Sequence, residues 1–437
     1  MDRKTAHEQP AKEYKMSDPI SRIELFHVVI PLPEKFYPAW IPNYPQTSNN
    51  FTLLRITSKS GLVGHSAGIS MERERAGLGS LLGPYLLGVD ALDLAVVNQR
   101  LREATYLGWR NSWIEAAFWD LKAKAEGKPL YKLLQFGDGN PDTESGENVS
   151  KVDVYFSMGE TWNNERHRRY LDDVMAKGIR SVKIRVHGNT EAEDILAVRQ
   201  AREHVGPDFD LRVDANQGWR VALLGDAPLW DLDRAHRFGL ACDEYKYSWL
   251  EEPLDMYNYD DQAELRRRIK TPVAGGELNA GWHEFKIMLE KGSYDYYQPD
   301  VTLAGGIGQA QQLMKACAAD DALGFSPHTW TNGIGFLINL QVYGAWPRRA
   351  FLEYPFQPPG WIPSARDGIL KRPIEVDSQG CVEMPQEPGI GIEIDSAKLR
   401  RYGRRFYNLT KPRLALHTIK TKGLRTALEL GRLKGAQ

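Results

Sequence analysis

The chain has 437 residues, of which 42% are hydrophobic and 26% charged, and its formal net charge is -1 at pH 7. This length allows a large core plus a second domain, and the near-zero charge provides no general attraction to nucleic acid or to a membrane surface. No stretch reaches the ~18 consecutive apolar residues that would predict a membrane span. The three cysteines, Cys242, Cys317 and Cys381, fit neither a disulfide framework nor a zinc motif.

The first 20 residues are polar and lack the apolar segment of a signal peptide. We therefore expect a disordered tail over residues 1–20 and a cytoplasmic location for the protein. Beyond this tail, segments 22–32 and 51–68 have the composition of β-strands, the second with a Ser-Gly turn. From Leu92 to Leu134 apolar residues recur at helical spacing. Strands followed by helices favour an α+β domain over residues 21–145.

The segment 33–50 between these strands, PEKFYPAWIPNYPQTSNN, is rich in proline and aromatic residues. A loop of this length in a compact domain usually has a function, and we interpret it as a lid over a substrate site. Packing of the aromatic side chains onto the rest of the protein is the alternative. The aromatic residues are Phe36, Tyr37, Trp40 and Tyr44.

From residue 152 onward, strand-like segments alternate with helical ones at a spacing of ~25 to 35 residues, which predicts βα units and a parallel sheet. Eight such strands favour a closed barrel over an open sheet, and we place this barrel over residues 150–355. The strand segments are VDVYFSM, SVKIRV, DLRVDAN, SWLEEPL, TPVAGGELN, YDYYQPDV, GFSPHTW and RAFLEYP.

The chain after the barrel divides into two parts. We expect residues 356–405 to pack back against the first domain. Residues 406–437 form a basic extension with an amphipathic pattern from Lys411 onward. Such a segment can bind an acidic partner, but we prefer an exposed or oligomer-contacting extension.

Three acidic residues, Asp214, Glu251 and Glu277, end consecutive predicted strands. In a parallel barrel all three lie at the C-terminal mouth, where catalytic groups collect. Converging carboxylates repel one another unless a cation lies between them, and ligation by oxygen alone indicates Mg²⁺ rather than zinc. Each acid taken singly has an alternative role as the cap of the following helix. For three on consecutive strands we favour the metal site.

A second pair of polar residues follows the next two strands. Asp300 ends YYQPDV and His328 ends GFSPHTW, so the carboxylate can orient the imidazole and raise its basicity. We expect this His to be catalytic rather than structural. Glu353, which ends FLEYP, contacts substrate or caps the last unit; the sequence leaves both roles open.

Potential cations occupy alternate positions of the strand SVKIRV and the residue after it. Lys183, Arg185 and His187 therefore point to one face, which predicts a negative group opposite them. A solvated strand face is the alternative. The role of His187, substrate contact or solvent exposure, stays open.

On these and further motifs the chain resembles the enolase superfamily, and within it the mandelate racemase/muconate lactonizing enzyme family. The resemblance extends from about residue 22 to 405 in the family's order. It implies an α/β fold: a (β/α)7β modified TIM barrel with an α+β N-terminal capping domain completed by the C-terminal segment. The motifs are IEAAFWDLKAKAEGKPLYKLL, KIR, RVDANQGW, LEEPL, GGELNAG, QPDVTLAGGIGQA, SPHTW and GIEID.

The resemblance also implies roles for residues. One Mg²⁺ is expected on the three strand-end acids named above, and a catalytic dyad is expected at His328 and Asp300. Family members place a Glu at the position of Glu353 near the substrate carboxylate, and the position of Asn216 often contacts substrate. The aromatic residues Phe36, Tyr37, Trp40 and Tyr44 fit the family's specificity loop.

The chain departs from the family's Lys-x-Lys motif, because it has Lys183-Ile184-Arg185. Arg185 stays protonated and is a poor base, but it suits binding of a carboxylate or hydroxyl. Racemisation by two bases is therefore disfavoured, whereas dehydration needs only His328. Lys183 can still act as a base if Arg185 depresses its pKa.

The resemblance thus implies a hydro-lyase, an acid-sugar dehydratase. It would abstract the proton α to a carboxylate of an aldonate or hydroxy diacid and eliminate water, giving a 2-keto-3-deoxy acid. A racemase or epimerase of a 2-hydroxy acid is the first alternative, and a non-catalytic binding homologue is the second. We expect a small-molecule carboxylate as partner and a homo-oligomer, dimer or octamer, with no nucleic acid and no membrane.

Overall fold

The computed structural model describes residues 17–106, 111–135, 148–186, 188, 190–224 and 229–435. The predicted tail over residues 1–20 lies largely outside this part of the chain. Its last residue is not disordered, because Ile20 is fully buried and begins the first strand.

Four antiparallel strands form a first sheet in the order β13-β1-β2-β3. The central strand β1 pairs on one side with β2 and on the other with β13, near the end of the chain. The residues after 405 therefore contribute to this sheet, and the predicted start of an extension at residue 406 is wrong by five residues. The strands are β1 Ile20–Phe36, β2 Gln46–Ser58, β3 Val63–Ile69 and β13 Gly403–Thr410.

Strands β1 and β2 are longer than the sequence predicted, because their pairing continues through Pro31↔Ser48 and Phe36↔Gln46. The predicted loop over 33–50 is therefore reduced to residues 37–45. Along β1, Val28, Ile30 and Leu32 are buried and alternate with exposed residues. This is the two-residue period of a strand with one covered face.

Helices and a short 3-10 turn pack on one face of this sheet and enclose an apolar cluster with it. Close approach is possible because Gly68 of β3 has no side chain: a Cβ there would lie 2.4 Å from the Trp113 ring. The helices are α1 Glu72–Leu86, α2 Leu94–Thr105, α3 Glu115–Ala125 and α4 Leu130–Leu134, and the turn is Ser112–Ile114.

The second sheet has eight parallel strands in the order β10-β9-β8-β7-β6-β5-β4-β11, and a ninth, antiparallel strand joins it at β4. Each strand from β4 to β9 pairs with the next one in sequence, and β11 returns to pair with β4. Between β10 and β11 the Ser326 hydroxyl donates to the Phe351 carbonyl at 3.3 Å. The strands are β4 Lys151–Ser157, β5 Ser181–Arg185, β6 Asp210–Asp214, β7 Leu250–Glu251, β8 Val273–Gly275, β9 Tyr296–Tyr297, β10 Gly324–Phe325 and β11 Leu352–Pro355.

One helix follows each of the first seven barrel strands, which is the (β/α)7β arrangement that the family resemblance implies. Helix α6 begins with a capping box in which Thr190 and Glu193 satisfy each other's backbone amides. Helix α11 is buried along its whole length. The helices are α5 Asn164–Ala176, α6 Glu191–Val205, α7 Leu232–Glu244, α8 Tyr259–Arg268, α9 Trp282–Lys291, α10 Ile307–Ala318 and α11 Gly333–Gly344.

The chain after the barrel returns towards the first sheet. Strand β12 pairs with β4 through Val382↔Val152, and the chain then enters β13. Two helices follow β13, and no side chain of the first of them is buried. In the part of the chain that the structure describes, no helix has the length and apolar character needed to cross a bilayer. The remaining elements are α12 Pro363–Arg366, β12 Cys381–Glu383, α13 Ser396–Tyr402, α14 Lys411–Lys422 and α15 Leu424–Gly435.

Candidate active site

Three acidic side chains lie at neighbouring strand ends on the C-terminal face of the barrel. Asp214 and Glu251 are the last residues of β6 and β7 and face each other in the register of the sheet. Glu277 follows β8 by two residues. All three are buried. The strand assignments made from the sequence therefore bring these carboxylates to one mouth.

Lys183 of β5 reaches into this group of acids and is completely buried. Its ammonium lies 2.8 Å from Glu353 Oε1 and 3.5 Å from Asp214 Oδ2, and it also donates to Glu251. Burial disfavours the charged ammonium, but the attraction of Glu251 and Glu353 outweighs it and raises the pKa of Lys183. Arg185 opposes this rise without reversing it. The depressed pKa considered for Lys183 from the sequence is therefore not found.

Arg185, at the end of β5, is held by the last residue of β6 and by an asparagine side chain two residues beyond it. Its guanidinium donates to Asp214 Oδ2 and to Asn216 Oδ1, the latter at 3.1 Å. It lies 5.5 Å from the ring centroid of Trp40 and 5.9 Å from that of Trp330. The negative group predicted opposite this strand face is thus, in part, the carboxylate of Asp214.

His328 lies three residues beyond β10, on the other side of the mouth. Its Nδ1 is 3.0 Å from Asp300 Oδ2, and its Nε2 is 3.1 Å from Glu277 Oε2. The second oxygen of Asp300 accepts hydrogen bonds from the amide and hydroxyl of Thr302 and from Asn339. Asp300 is thereby fixed in orientation, and it fixes the imidazole in turn.

The electrostatic surroundings of His328 favour its protonated form. Burial lowers the pKa of the imidazole, but Glu277 and Glu353, together with Asp300, outweigh burial and raise it to about 9. The imidazolium that would follow proton abstraction therefore has negative partners on both sides of the ring.

The mouth contains more buried acids than cations. Burial, only partly offset by Lys183, raises the pKa of Glu251 to about 7. Burial, and then the charge of Glu277, raises the pKa of Glu252 well above its usual range. Burial is the largest cause of both shifts, and repulsion from the neighbouring acids adds to it. The buried acids are Asp214, Glu251, Glu252, Glu277, Asp300 and Glu353.

This donor set fits a hard divalent cation in both charge and ligand type, because it is rich in carboxylate oxygen and poor in sulfur. Within the described residues, no three His, Cys, Asp or Glu side chains already converge as a metal-binding group. The side-chain contacts explain this, since Asp214 is paired with Arg185 and Glu251 with Lys183.

Several side chains of the mouth were not singled out from the sequence. Glu252 is part of the motif LEEPL, which the sequence analysis used only for its neighbour Glu251. The side chain of Glu252 is also buried beside the other acids, and its backbone has a positive φ of 45°. The Trp219 indole donates to Glu277, and Gln298 donates to Glu251 at 2.9 Å. These side chains are identified as part of the mouth only by their burial and by the direction in which they point, and no sequence pattern gives either property.

The predicted lid residues are placed differently from one another. The Ala39 amide donates to the Gly159 carbonyl, and the Trp40 carbonyl accepts from Val221, so this segment is joined to the loops after β4 and β6. The Trp40 ring lies against Arg185. Tyr37 is 46% exposed, and its backbone amide donates to Glu160.

The alternative to a lid, in which these aromatic side chains pack onto the rest of the protein, holds for one of them. Phe36 is buried and stacks on Trp330, with ring centroids 5.5 Å apart, so it packs as core. Tyr44 is exposed. His187 lies outside the described residues.

Two family models match the chain. One is described as the mandelate racemase / muconate lactonizing enzyme N-terminal domain and matches residues 26–135. The other is described as enolase C-terminal domain-like and matches residues 166–398, more than half of the chain. The chain belongs to the mandelate racemase/muconate lactonizing enzyme family of the enolase superfamily.

Relatives within this superfamily carry out several reactions. The chain is 28% identical to the L-talarate/galactarate dehydratase of Salmonella typhimurium over 324 residues, 71% of this chain and 74% of that one. It is 28% identical to the D-galactarolactone cycloisomerase of Agrobacterium fabrum, over 80% of this chain and 90% of that one. It is 26% identical to the arabinonate dehydratase of Saccharolobus solfataricus, over 79% of this chain and 89% of that one.

The fold also matches solved structures. A structure of the Salmonella typhimurium dehydratase, liganded with Mg and L-lyxarohydroxamate, superposes with a TM-score of 0.77 at 24% identity. The match covers 94% of this chain and 99% of that one. The modified TIM barrel with its N-terminal capping domain is therefore shared.

Proposed function

We propose that the protein is a Mg²⁺-dependent acid-sugar dehydratase. It removes the proton α to a carboxylate and eliminates the β-hydroxyl as water, and the resulting enol tautomerises to a 2-keto-3-deoxy acid. The observation that carries this proposal is the one-sided distribution of bases at the mouth: an imidazole oriented by Asp300 on one side, and two paired cations of β5 on the other.

Asp214, Glu251 and Glu277 are the residues that we expect to hold the magnesium ion. When bound, the ion supplies positive charge that stabilises the negative charge developing on the substrate carboxylate. Binding requires Asp214 and Glu251 to exchange part of their contacts with the β5 cations. Lys183 and Arg185 are then available to donate to the oxygens of the substrate.

His328 carries out the proton transfers in this proposal. With its Nδ1 hydrogen donated to Asp300, and with Glu277 engaged as a metal ligand instead of facing the imidazole, Nε2 is left to accept the proton from the α-carbon. The imidazolium then returns this proton to the leaving hydroxyl, so the proton and hydroxide depart together as water. One residue suffices, because the proton is removed and delivered in sequence.

The opposite side of the mouth lacks a second base in this proposal. Arg185 stays protonated in proteins, and Lys183 is paired with Glu353 and Glu251. Racemisation through two bases on opposite faces is therefore disfavoured. We expect Asn216 and Trp40 to border the substrate, because Asn216 accepts a hydrogen bond from Arg185 and the Trp40 ring flanks it. Glu353 orients Lys183 and accepts a hydrogen bond from the Thr329 amide at 2.8 Å.

The dehydratases among the relatives support an acid sugar as substrate. The cycloisomerase among them shows that proteins of this fold also catalyse other reactions. The test is a stereochemically complete set of aldonates and aldarates with Mg²⁺, with detection of 2-keto product. We expect turnover that is abolished by chelation of the metal.

Two other outcomes would contradict the proposal. Exchange of the α-hydrogen in D₂O without loss of water would indicate a racemase or epimerase. Absence of Mg²⁺ binding in calorimetry, together with absence of turnover, would indicate a non-catalytic homologue.

A further inference from the structure

A buried carboxylate of the first domain contacts the barrel at the start of helix α10. Glu115 is the first residue of α3 and is buried. The Gly308 amide, in the first turn of α10, donates to Glu115 Oε1 at 3.2 Å and lies 3.4 Å from Oε2. The first amides of a helix have no acceptor within the helix, and the helix dipole favours a carboxylate at this end. Glu115 therefore fastens the start of α10 to the first domain.

Two side chains of the first domain hold Glu115 in this orientation. The Trp119 indole, one turn further along α3, donates to Oε1 at 2.9 Å. The side-chain amide of Asn98, on α2, donates to the same oxygen at 3.0 Å. The position of the carboxylate is therefore set by the first domain.

Two glycines of the barrel allow this carboxylate to approach closely. Gly306, immediately before α10, has a φ of 89°, and a Cβ there would collide with Glu115 Oε2. A Cβ at Gly308 would lie 3.0 Å from Glu115 Oε1. Packing this close leaves little room for one partner to shift without the other. The position of the start of α10 is therefore tied to that of Glu115.

A compact turn over residues 301–306 joins the start of α10 to Asp300. The Leu303 and Ala304 amides donate to the Asp300 carbonyl at 2.9 and 2.7 Å. The Gly306 amide donates to the Val301 carbonyl at 3.1 Å. One end of the turn is thus bonded to Asp300, and the other lies against Glu115.

The side chain of Asp300 is oriented by the same turn. The amide and the hydroxyl of Thr302 donate to Asp300 Oδ1 at 2.8 and 2.7 Å. The other oxygen, Oδ2, lies 3.0 Å from His328 Nδ1. A displacement of the turn would therefore change the geometry of the contact between Asp300 and the imidazole.

We propose that Glu115 is a positioning residue for the dyad of His328 and Asp300. From the first domain it fixes the turn 301–306, and through the turn it fixes the direction from which Asp300 holds the imidazole. The inference rests on the proposed function, in which His328 transfers the proton. The hydrogen bonds of Glu115 go to α2, α3 and α10 rather than to the mouth, so its effect falls on kcat and not on KM.

The first test is Glu115→Gln in the full-length, Mg²⁺-loaded enzyme with its best acid sugar. The amide keeps the shape of the side chain but turns two hydrogens towards the surrounding donors, so the start of α10 loses part of its support. We expect kcat to fall about tenfold with KM unchanged, because misplacement of a catalytic group by about 1 Å can cost ~10²-fold. Glu24→Gln, which alters another buried acid of the first domain, is the matched control and should leave kcat unchanged. An unchanged kcat in Glu115→Gln overturns the proposal.

A double-mutant cycle separates positioning from a general loss of structure. If Glu115 acts through Asp300, Glu115→Gln should have little further effect on kcat in the Asp300→Asn background. The same fold-loss in both backgrounds would show that Glu115 acts independently of Asp300 and would overturn the proposal. Should Glu115→Gln fail to fold, Trp119→Phe takes its place in the cycle, because it removes one of the donors that orient the carboxylate.

A measurement without substrate separates this inference from the proposed function. The ring-nitrogen chemical shifts of His328 report its tautomer and hydrogen bonding, and in protein labelled with ¹⁵N-histidine they are assigned by their loss in His328→Asn. We expect them to change in Glu115→Gln and to stay as in wild type in Glu24→Gln. If they change in this way but no acid sugar is dehydrated, the positioning role stands and the dehydratase function fails. Identical shifts in all three proteins would overturn the positioning role whatever the turnover.

Discussion

The two sides of the barrel mouth differ in how their polar side chains are held. On the β5 side, Lys183 and Arg185 are both ion-paired with the strand-end acids. On the β9 and β10 side, His328 is held by Asp300, and its Nε2 faces Glu277. The β5 side therefore provides permanent positive charge, whereas the β9 and β10 side provides an imidazole that can be protonated and deprotonated.

This difference teaches how a scaffold shared by several reactions can be restricted to one of them. A group used for proton transfer needs an oriented lone pair, which the Asp300 contact provides for the imidazole. A group used for charge stabilisation needs only to remain charged. Lys183 remains charged because the neighbouring carboxylates outweigh its burial and raise its pKa. Variants on each side can break or sharpen this comparison.

The largest effect is expected on the His328 side. His328→Asn should lower kcat/KM about 10²- to 10⁴-fold, because the only oriented base of the proposal is removed. Mg²⁺ binding, measured by calorimetry, should persist, since the three proposed ligands remain. Turnover above about one tenth of wild type would place the base elsewhere.

A smaller loss of activity is expected at Asp300, which acts on the reaction through its contact with His328. Asp300→Asn should lower kcat about 10²-fold with little change in KM, because the amide no longer holds the imidazole in the required tautomer. Steady-state kinetics with the best acid sugar provide the measurement. A change confined to KM would show that Asp300 acts on substrate binding instead.

On the β5 side we expect an effect on binding rather than on proton transfer. Arg185→Lys should raise KM about tenfold, because the forked donors that fit a carboxylate are lost. It should also introduce slow exchange of the α-hydrogen from the opposite face, since lysine can deprotonate. Arg237→Lys serves as the control and should leave KM unaltered, because Arg237 is an exposed arginine on α7 paired with Glu191. Equal KM in both variants and wild type would remove Arg185 from the substrate site.

The smallest effect concerns a buried acid paired with arginines outside the site. Glu24 lies in the first sheet between Arg55 and Arg405, each at 2.7 Å. Burial raises the pKa of Glu24, but the two arginines outweigh it and the pKa is lowered overall. Glu24→Gln should reduce the free energy of unfolding at pH 7 by about 1–2 kcal/mol, since the arginines are partly exposed and screened. It should leave kcat/KM intact.

The pH dependence of this effect has a definite sign. Because the folded pKa of Glu24 is below its unfolded value, the contribution is present above the unfolded pKa and is lost as pH falls through the folded one. Denaturant titrations at neutral and acidic pH should show the difference between wild type and Glu24→Gln shrinking with acidification. A constant difference would assign the effect to packing.

Much of the fold was predictable from the sequence because its signals are local. Alternation of strands and helices predicted all eight barrel strands, and strand-end positions predicted that Asp214, Glu251 and Glu277 lie at one end of the barrel. Boundaries were predicted less well. The loop after β1 is shorter than expected, and residues 403–410 join the first sheet, because both features depend on pairing with β1 rather than on local composition.

The sequence by itself determined the residue types of the site and their order along the chain, including the arginine that replaces lysine in the Lys-x-Lys motif. Only the tertiary structure decided which charges meet. It paired Lys183 and Arg185 with particular acids, buried Glu252 beside them, and brought the Glu115 carboxylate of the first domain to the start of α10. The physical reason is that charge interactions act through space at a few ångströms, whereas sequence patterns report only the face and the end of an element on which a side chain lies.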